Sequence, residues 1–140
     1  MILLDNRTNN NINLKLLNDI VEYLKIQKDI EIILTNNEEI KEINKEFRGV
    51  DKATDVLSFP LEDIEFMPIG SIVISINKAI EVAKSLNHSI EDEVALLFTH
   101  GLLHILGYDH EVDNGQMREK EEEIVKHFKL PKSLIVRAGE

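Results

Sequence analysis

The sequence predicts a single α+β domain, with about four strands in a mixed sheet packed against four or five helices. Three observations carry that expectation. Helical and strand-like hydrophobic periodicities succeed one another along the chain without strict alternation. No repeat, low-complexity stretch or linker divides residues 1–140. The length, with 43% hydrophobic residues, supports one real core and is too short for two comfortable ones.

Residues 2–5 read as a short apolar strand and Asn9-Asn10-Asn11 as a turn. From 14 to about 26, Leu14, Leu17, Val21 and Leu24 recur at the spacing of an amphipathic helix. Residues 29–35 open with apolar and charged residues in alternation and are rich in β-branched side chains, which predicts a strand. Asn36 or Asn37 can cap the next helix, whose buried face is marked by Ile40, Ile43 and Phe47 and which ends at Gly49. Strands are expected over 54–59 and 69–76, separated by an acidic loop carrying Pro60, Glu62, Asp63, Glu65 and Pro68. Asn77 is placed to cap a third helix reaching about Leu86. Ser89 followed by Asp92 resembles a capping box, with Asp for the usual Glu, and opens a helix from Ile90 to about Leu106. A highly charged helix from about Asn114 to Phe128 precedes a tail containing Pro131.

Composition narrows the function. The chain has no cysteine, which removes disulfides, thiolate metal sites and cysteine nucleophiles and is compatible with a reducing cytosol. Met1-Ile2-Leu3-Leu4-Asp5 lacks a basic region followed by a long apolar run, and no apolar stretch approaches the roughly 18 residues a membrane span needs. A soluble cytoplasmic protein without membrane partners is expected. The net charge of −10 argues against a nonspecific nucleic-acid binder, and no DNA partner is expected. A local basic strip beside a divalent metal can still hold one or two phosphates. At 5% aromatic residues, a broad base-stacking platform is not expected.

The chemistry concentrates in His100-Gly101-Leu102-Leu103-His104-Ile105-Leu106-Gly107-Tyr108-Asp109-His110. Two imidazoles four residues apart on a helix differ by about 40° around the axis and about 6 Å along it, so His100 and His104 can reach one metal ion. His110 cannot join them from the same straight helix, since it would lie roughly 15 Å beyond His100 along the axis. The helix must stop and the chain fold back, and Gly107 is placed for that as a left-handed C-terminal residue. The metal site is therefore expected at the C-terminal end of a central helix, with three neutral nitrogen ligands and an open fourth position. That arrangement is typical of catalytic zinc, although nickel, copper or iron could occupy the same nitrogens.

In zinc proteases of the H-E-x-x-H type, the residue after the first histidine is the glutamate that activates water. Here it is Gly101. A peptidase would need another carboxylate as its base and is the weaker enzyme alternative.

Three blocks now resemble a known family. The first is Asn44-Lys45-Glu46-Phe47-Arg48 with Thr54-Asp55-Val56-Leu57-Ser58-Phe59-Pro60, similar to N-x-x-[YF]-R and T-D-V-L-S-F-P. The second is Ile69-Gly70-Ser71-Ile72-Val73-Ile74-Ser75, similar to a G-D-I-x-I-S strand with Ser71 in the aspartate's place. The third is the complete H-G-x-L-H-x-x-G-Y-D-H run with Met117 and Glu121 downstream as M-x-x-x-E. From about Asn36 to Glu123 the chain resembles the YbeY family of rRNA maturation factors, bacterial metal-dependent endoribonucleases. The resemblance implies single-strand-specific RNA cleavage, small-subunit rRNA 3′-end processing, ribosome quality control and a Zn2+ cofactor. It also implies single-stranded RNA, rRNA and the small ribosomal subunit or its proteins as partners. A noncatalytic, metal-stabilised ribosome-assembly factor is the alternative from a different class.

Several residues keep two readings. A zinc held by three histidines lowers the pKa of its water toward about 7 and polarises a phosphoryl oxygen, and the developing charge needs a nearby cation. Arg48 is the candidate, because a guanidinium clamps two phosphate oxygens at once; a plain helix-end interaction before Gly49 is the alternative. Catalysis is thus expected of Arg48 with His100, His104 and His110. Asp55 is expected either at the site or accepting backbone N–H groups at a strand start, and Thr54 and Ser58 have similarly plain alternatives, Ser58 as a hydroxyl satisfying a buried edge. Asp109 can orient a ligand imidazole or cap the turn after Gly107. Tyr108 is read as packing. His88 and His127 lack a partner at ligand spacing, and Glu119-Lys120-Glu121-Glu122-Glu123 reads as a solvated helix face.

Overall fold

The computed structural model describes residues 1–62 and 64–138, so Asp63 of the acidic loop lies outside the described residues. In chain order the elements are β1 (Ile2–Asn6), α1 (Leu14–Tyr23), β2 (Ile30–Thr35), α2 (Asn37–Arg48), β3 (Val56–Pro60), β4 (Gly70–Ser75), α3 (Ile76–Leu86), α4 (Ile90–Ile105), α5 (Gln116–Phe128) and α6 (Leu134–Ala138). The α+β class and four-stranded mixed sheet match expectation. The helices number six among the described residues, because the tail after Pro131 forms α6.

The sheet order is β1-β2-β4-β3, with β1, β2 and β4 parallel and β3 antiparallel on the edge beside β4. Strand alternation sorts the side chains into two layers. Ile30, Ile32, Leu34, Ile72 and Ile74 face a large core shared with α1, α3, α4 and α5. Ile33, Leu57 and Val73 face the other way, against Ile40 and Ile43 of α2. Being central, β2 and β4 are covered on both faces, which is why each carries three consecutive apolar residues, Ile32-Ile33-Leu34 and Ile72-Val73-Ile74.

The axis of the large core is α4. Val94, Ala95, Leu96, Leu97, Phe98, Gly101, Leu102 and Leu103 are all buried, so this helix is apolar nearly all round. Each fully buried leucine or phenylalanine there contributes about 1.5–3 kcal/mol through lost apolar exposure. Its start is set by Ser89, whose hydroxyl accepts the Asp92 N–H at 3.0 Å. Among the described residues no helix is long and apolar enough to cross a membrane.

Three local expectations are corrected. Ser75, not Asn77, caps α3 by accepting the Lys78 N–H, while the Asn77 side chain accepts the Asn37 N–H at 2.8 Å and ties α2 to α3. Phe47 is 65% exposed, because what it meets is the edge strand β3, where its ring stands edge-on to Phe59. The first helix closes at Tyr23, since Lys25 takes a positive φ of 58° and stops it short of Ile26. For α2, the choice between caps falls to Asn36, which accepts the Glu39 N–H at 2.9 Å.

Candidate metal centre and active cleft

His100 and His104 lie in the last two turns of α4, and the path of the chain beyond that helix decides whether His110 can meet them. The Gly107 N–H donates to the His104 carbonyl and the Tyr108 N–H to the Leu103 carbonyl, both at 3.0 Å, closing the helix in a Schellman motif. Gly107 holds φ at +100° with nothing within 4 Å of where a Cβ would stand, so glycine is needed there for backbone conformation and not for space. The chain then turns at Asp109, whose carboxylate accepts the Glu111 N–H at 3.1 Å and whose carbonyl accepts the Val112 and Asp113 N–H groups. Asp109 therefore takes the turn role of its two readings. The turn returns His110 to the helix end.

Ring centroids are 4.8 Å apart for His100 and His104, 5.4 Å for His100 and His110, and 5.7 Å for His104 and His110. One ring nitrogen from each lies within 4.8 Å of the others, so the cluster could hold a metal ion. The donor set fits a borderline-soft divalent cation. Burial first, and then the neighbouring His100 and His110, hold the His104 imidazole below the usual histidine pKa, which favours the neutral, ligating form.

The partner that fixes the His100 ring is Glu121, whose Oε2 lies 2.6 Å from His100 Nδ1. An ionised carboxylate can only accept, so Nδ1 carries the proton and Nε2 keeps its lone pair for a metal. Glu121 is 2% exposed, which corrects the reading of the 119–123 cluster as a wholly solvated face. A signal was present: Met117, Glu121 and Ile124 are spaced i, i+4, i+7, which puts this one acid on the buried stripe of α5. The tail around α6 was missed too. Its Arg137 forms a two-point ion pair with fully buried Glu93, which also meets His88 at 2.8 Å. His88 thus belongs to that network, and His127 stacks on Tyr23.

All three histidines open onto a cleft of about 630 Å3, in the size range of ligand-binding pockets. Arg48, Asp55, Ser58, Gly101 and Asp109 also line it. Arg48 ends α2, and buried Asn44 donates to the Lys52 carbonyl at 2.9 Å, pinning the chain just after Arg48 back against its own helix. Among the described residues Arg48 has no hydrogen-bond or ion-pair partner. Asp55 accepts the Val56 N–H at 2.8 Å, as expected of a strand-start carboxylate, and still borders the cleft. Ser58 also borders it, from the half-buried edge strand, and Tyr108 packs against the core. Ser71, by contrast, bonds Glu31 of the adjacent strand at 2.6 Å, on the α2 face of the sheet.

A Cβ on Gly101 would sit 3.1 Å from Ile72 Cγ2 and 3.4 Å from Val56 Cγ2. Any side chain here would press on both methyl groups, so the glutamate of the protease pattern fits only if Ile72 and Val56 give way. Gly101→Glu is expected to lose more than about 3 kcal/mol of stability in urea unfolding, from overpacking and a desolvated carboxylate. Wild-type stability would show that the helix can lift off the sheet without cost.

The fold and site define a class: α+β proteins in which a three-histidine cluster able to hold a metal shares a cleft with an arginine that is unpaired among the described residues. Within that class, the family model Endoribonuclease YbeY matches residues 3–129. The chain is 62% identical over 137 residues to Endoribonuclease YbeY of Nautilia profundicola, covering 98% of each chain. It is 52% identical over 140 residues to Endoribonuclease YbeY of Wolinella succinogenes, covering 100% of this chain and 99% of that one. A solution structure of a Thermotoga maritima protein superposes with a TM-score of 0.62 at 34% identity, covering 91% of this chain and 89% of the other. The chain belongs to the endoribonuclease YbeY family, enzymes that cut RNA internally.

Proposed function

We propose that this chain, working as one domain, is a zinc-dependent, single-strand-specific endoribonuclease of the cytoplasm that acts in small-subunit rRNA 3′-end maturation and ribosome quality control. The observation that supports it best is the placement of unpaired Arg48 in the same cleft as His100, His104 and His110. When bound there, a divalent metal would supply Lewis acidity to a phosphoryl oxygen and acidify a water molecule. The chain's own residues do the rest. Glu121 keeps the proton of His100 on Nδ1, and burial keeps His104 neutral. Arg48 binds the phosphodiester through its paired N–H groups and meets the negative charge that builds on the nonbridging oxygens. Arg137 also lines the cleft, but its charge is already neutralised by Glu93, which leaves the phosphate to Arg48. The native partners in this reading are rRNA and the small ribosomal subunit or its proteins.

Purified protein with its metal is expected to cut single-stranded RNA, to cut duplex RNA at least about tenfold more slowly, and to leave unfolded polypeptides intact. A cleft walled by the 109–111 turn on one side and α6 on another needs a flexible backbone to enter it, and an A-form duplex presents a stiff one. The His104→Ala variant must accompany the assay to exclude contaminating nuclease. Metal-dependent proteolysis lost in that variant, without RNA cleavage, would overturn the ribonuclease reading; cleavage of neither substrate would favour the noncatalytic assembly factor.

A further inference from the structure

We propose that α6 is a clamp on the metal centre: through the Ile135 amide and the ion pair of Arg137 with Glu93, it holds Glu121, and with it the His100 ring, in the ligating orientation. The proposal rests on the three-histidine metal reading and adds a control element that touches no ligand nitrogen.

Both oxygens of Glu121 are engaged. Oε2 meets His100 Nδ1 at 2.6 Å, and Oε1 accepts the Ile135 N–H at 3.3 Å. A carboxylate held at one oxygen can rotate about its last torsion, whereas one held at both cannot. The amide that supplies the second hold belongs to a helix of only five residues, too short to stand by propensity alone. Its position is instead fixed from outside. Arg137 donates from its two terminal nitrogens to Glu93 Oε1 and Oε2 at 2.8 and 2.6 Å. Glu93 is fully buried in the first turn of α4, the helix that carries His100 and His104 two to three turns later. Releasing Arg137 would leave that charge in the interior with only the His88 ring beside it, so α6 stays seated. Ser133 completes the seat, its buried hydroxyl accepting the Val136 N–H at 3.2 Å.

The same segment walls the cleft, with Leu134, Ile135 and Arg137 along its side. It lies beyond residues 3–129 matched by the family model. The consequence is a metal affinity that depends on residues with no contact to the ion. Partners that orient a ligand histidine typically alter metal affinity by 10–100-fold.

The test uses full-length chains. Zinc affinity is measured by competition with a chromophoric chelator, the visible absorption of the cobalt(II)-loaded protein reports ligand geometry, and far-UV circular dichroism reports the fold. Ile135→Pro removes the amide donor in the first turn of α6, an N–H with no intrahelical acceptor to lose, and Ile135→Ala, which keeps that N–H, controls for the lost side chain. Ile135→Pro and Arg137→Ala are each expected to weaken zinc binding about tenfold and to shift the cobalt bands at unchanged dichroism. Arg137→Lys, which keeps one contact to Glu93, is expected to recover part of that affinity. If Arg137→Ala fails to fold, Ile135→Pro, which leaves the ion pair intact, decides alone. Wild-type zinc affinity and cobalt spectrum in Ile135→Pro would overturn the clamp. His104→Ala runs alongside: wild-type zinc affinity in that variant would overturn the metal reading itself, and a clamp failure with His104→Ala zinc-free would leave that reading standing.

Discussion

His104→Ala is expected to lose tight metal binding and RNA cleavage together while the chain stays folded. His104 lies between the other two ligands in sequence, and without it the remaining pair is split between the end of α4 and the turn after it. Structural zinc sites bind with about 10–16 kcal/mol shared over four ligands, so one ligand is worth roughly a hundredfold to a thousandfold in affinity. The fold has little to lose. The side chain is only partly buried, and alanine is the stronger helix former by up to about 0.7 kcal/mol. Elemental analysis of protein purified without chelator should find close to one zinc per wild-type chain and almost none in the variant, with unchanged far-UV circular dichroism. Cleavage of single-stranded RNA should fall to background. Equal metal content in the two proteins would remove these histidines as ligands; equal cleavage would detach the metal from the reaction.

The metal cluster was legible in the sequence because each part of it is a local rule. Spacing of four on a helix sets His100 beside His104, and a glycine at the helix end reverses the chain to bring back His110. The strands were legible for the same reason, since β-branched runs bounded by Asn, Gly and Pro need no tertiary information. What failed was set by contacts between distant parts of the chain. Glu121 resembles its neighbours Glu119, Glu122 and Glu123 until α5 is laid on α4, when one of the four acids meets His100. Five residues after Pro131 offer no helical signal, yet the buried carboxylate of Glu93, forty-four positions away, recruits Arg137 and folds them. Phe47 keeps the apolar spacing of α2, yet it meets the sheet only at Phe59 of edge strand β3, which leaves most of it exposed.

The same contrast separates the two arginines of the cleft and makes the last expected result specific to one. Both guanidiniums border the same space, but Arg137 is occupied by Glu93 and Arg48 is not. Arg48→Ala is expected to lower kcat for single-stranded RNA by about a hundredfold to a thousandfold, the usual effect of removing one donor aimed at charge that develops in the transition state. Binding should change far less, because a phosphodiester carries only one charge before reaction and more as the bond breaks. Stability should fall by no more than about 1 kcal/mol, since an exposed cation in the last turn of α2 contributes chiefly through the helix dipole. Metal content should not change. Arg48→Lys should fall between, because an ammonium keeps the charge and loses the two-point grip on phosphate. The checks are single-turnover cleavage for kcat, fluorescence anisotropy for RNA affinity in the His104→Ala background, and zinc content. Activity of Arg48→Ala within about twofold of wild type would return this arginine to a helix-end role. A loss in RNA affinity as large as the loss in kcat would make it a substrate-binding residue that grips the ground state as firmly as the transition state.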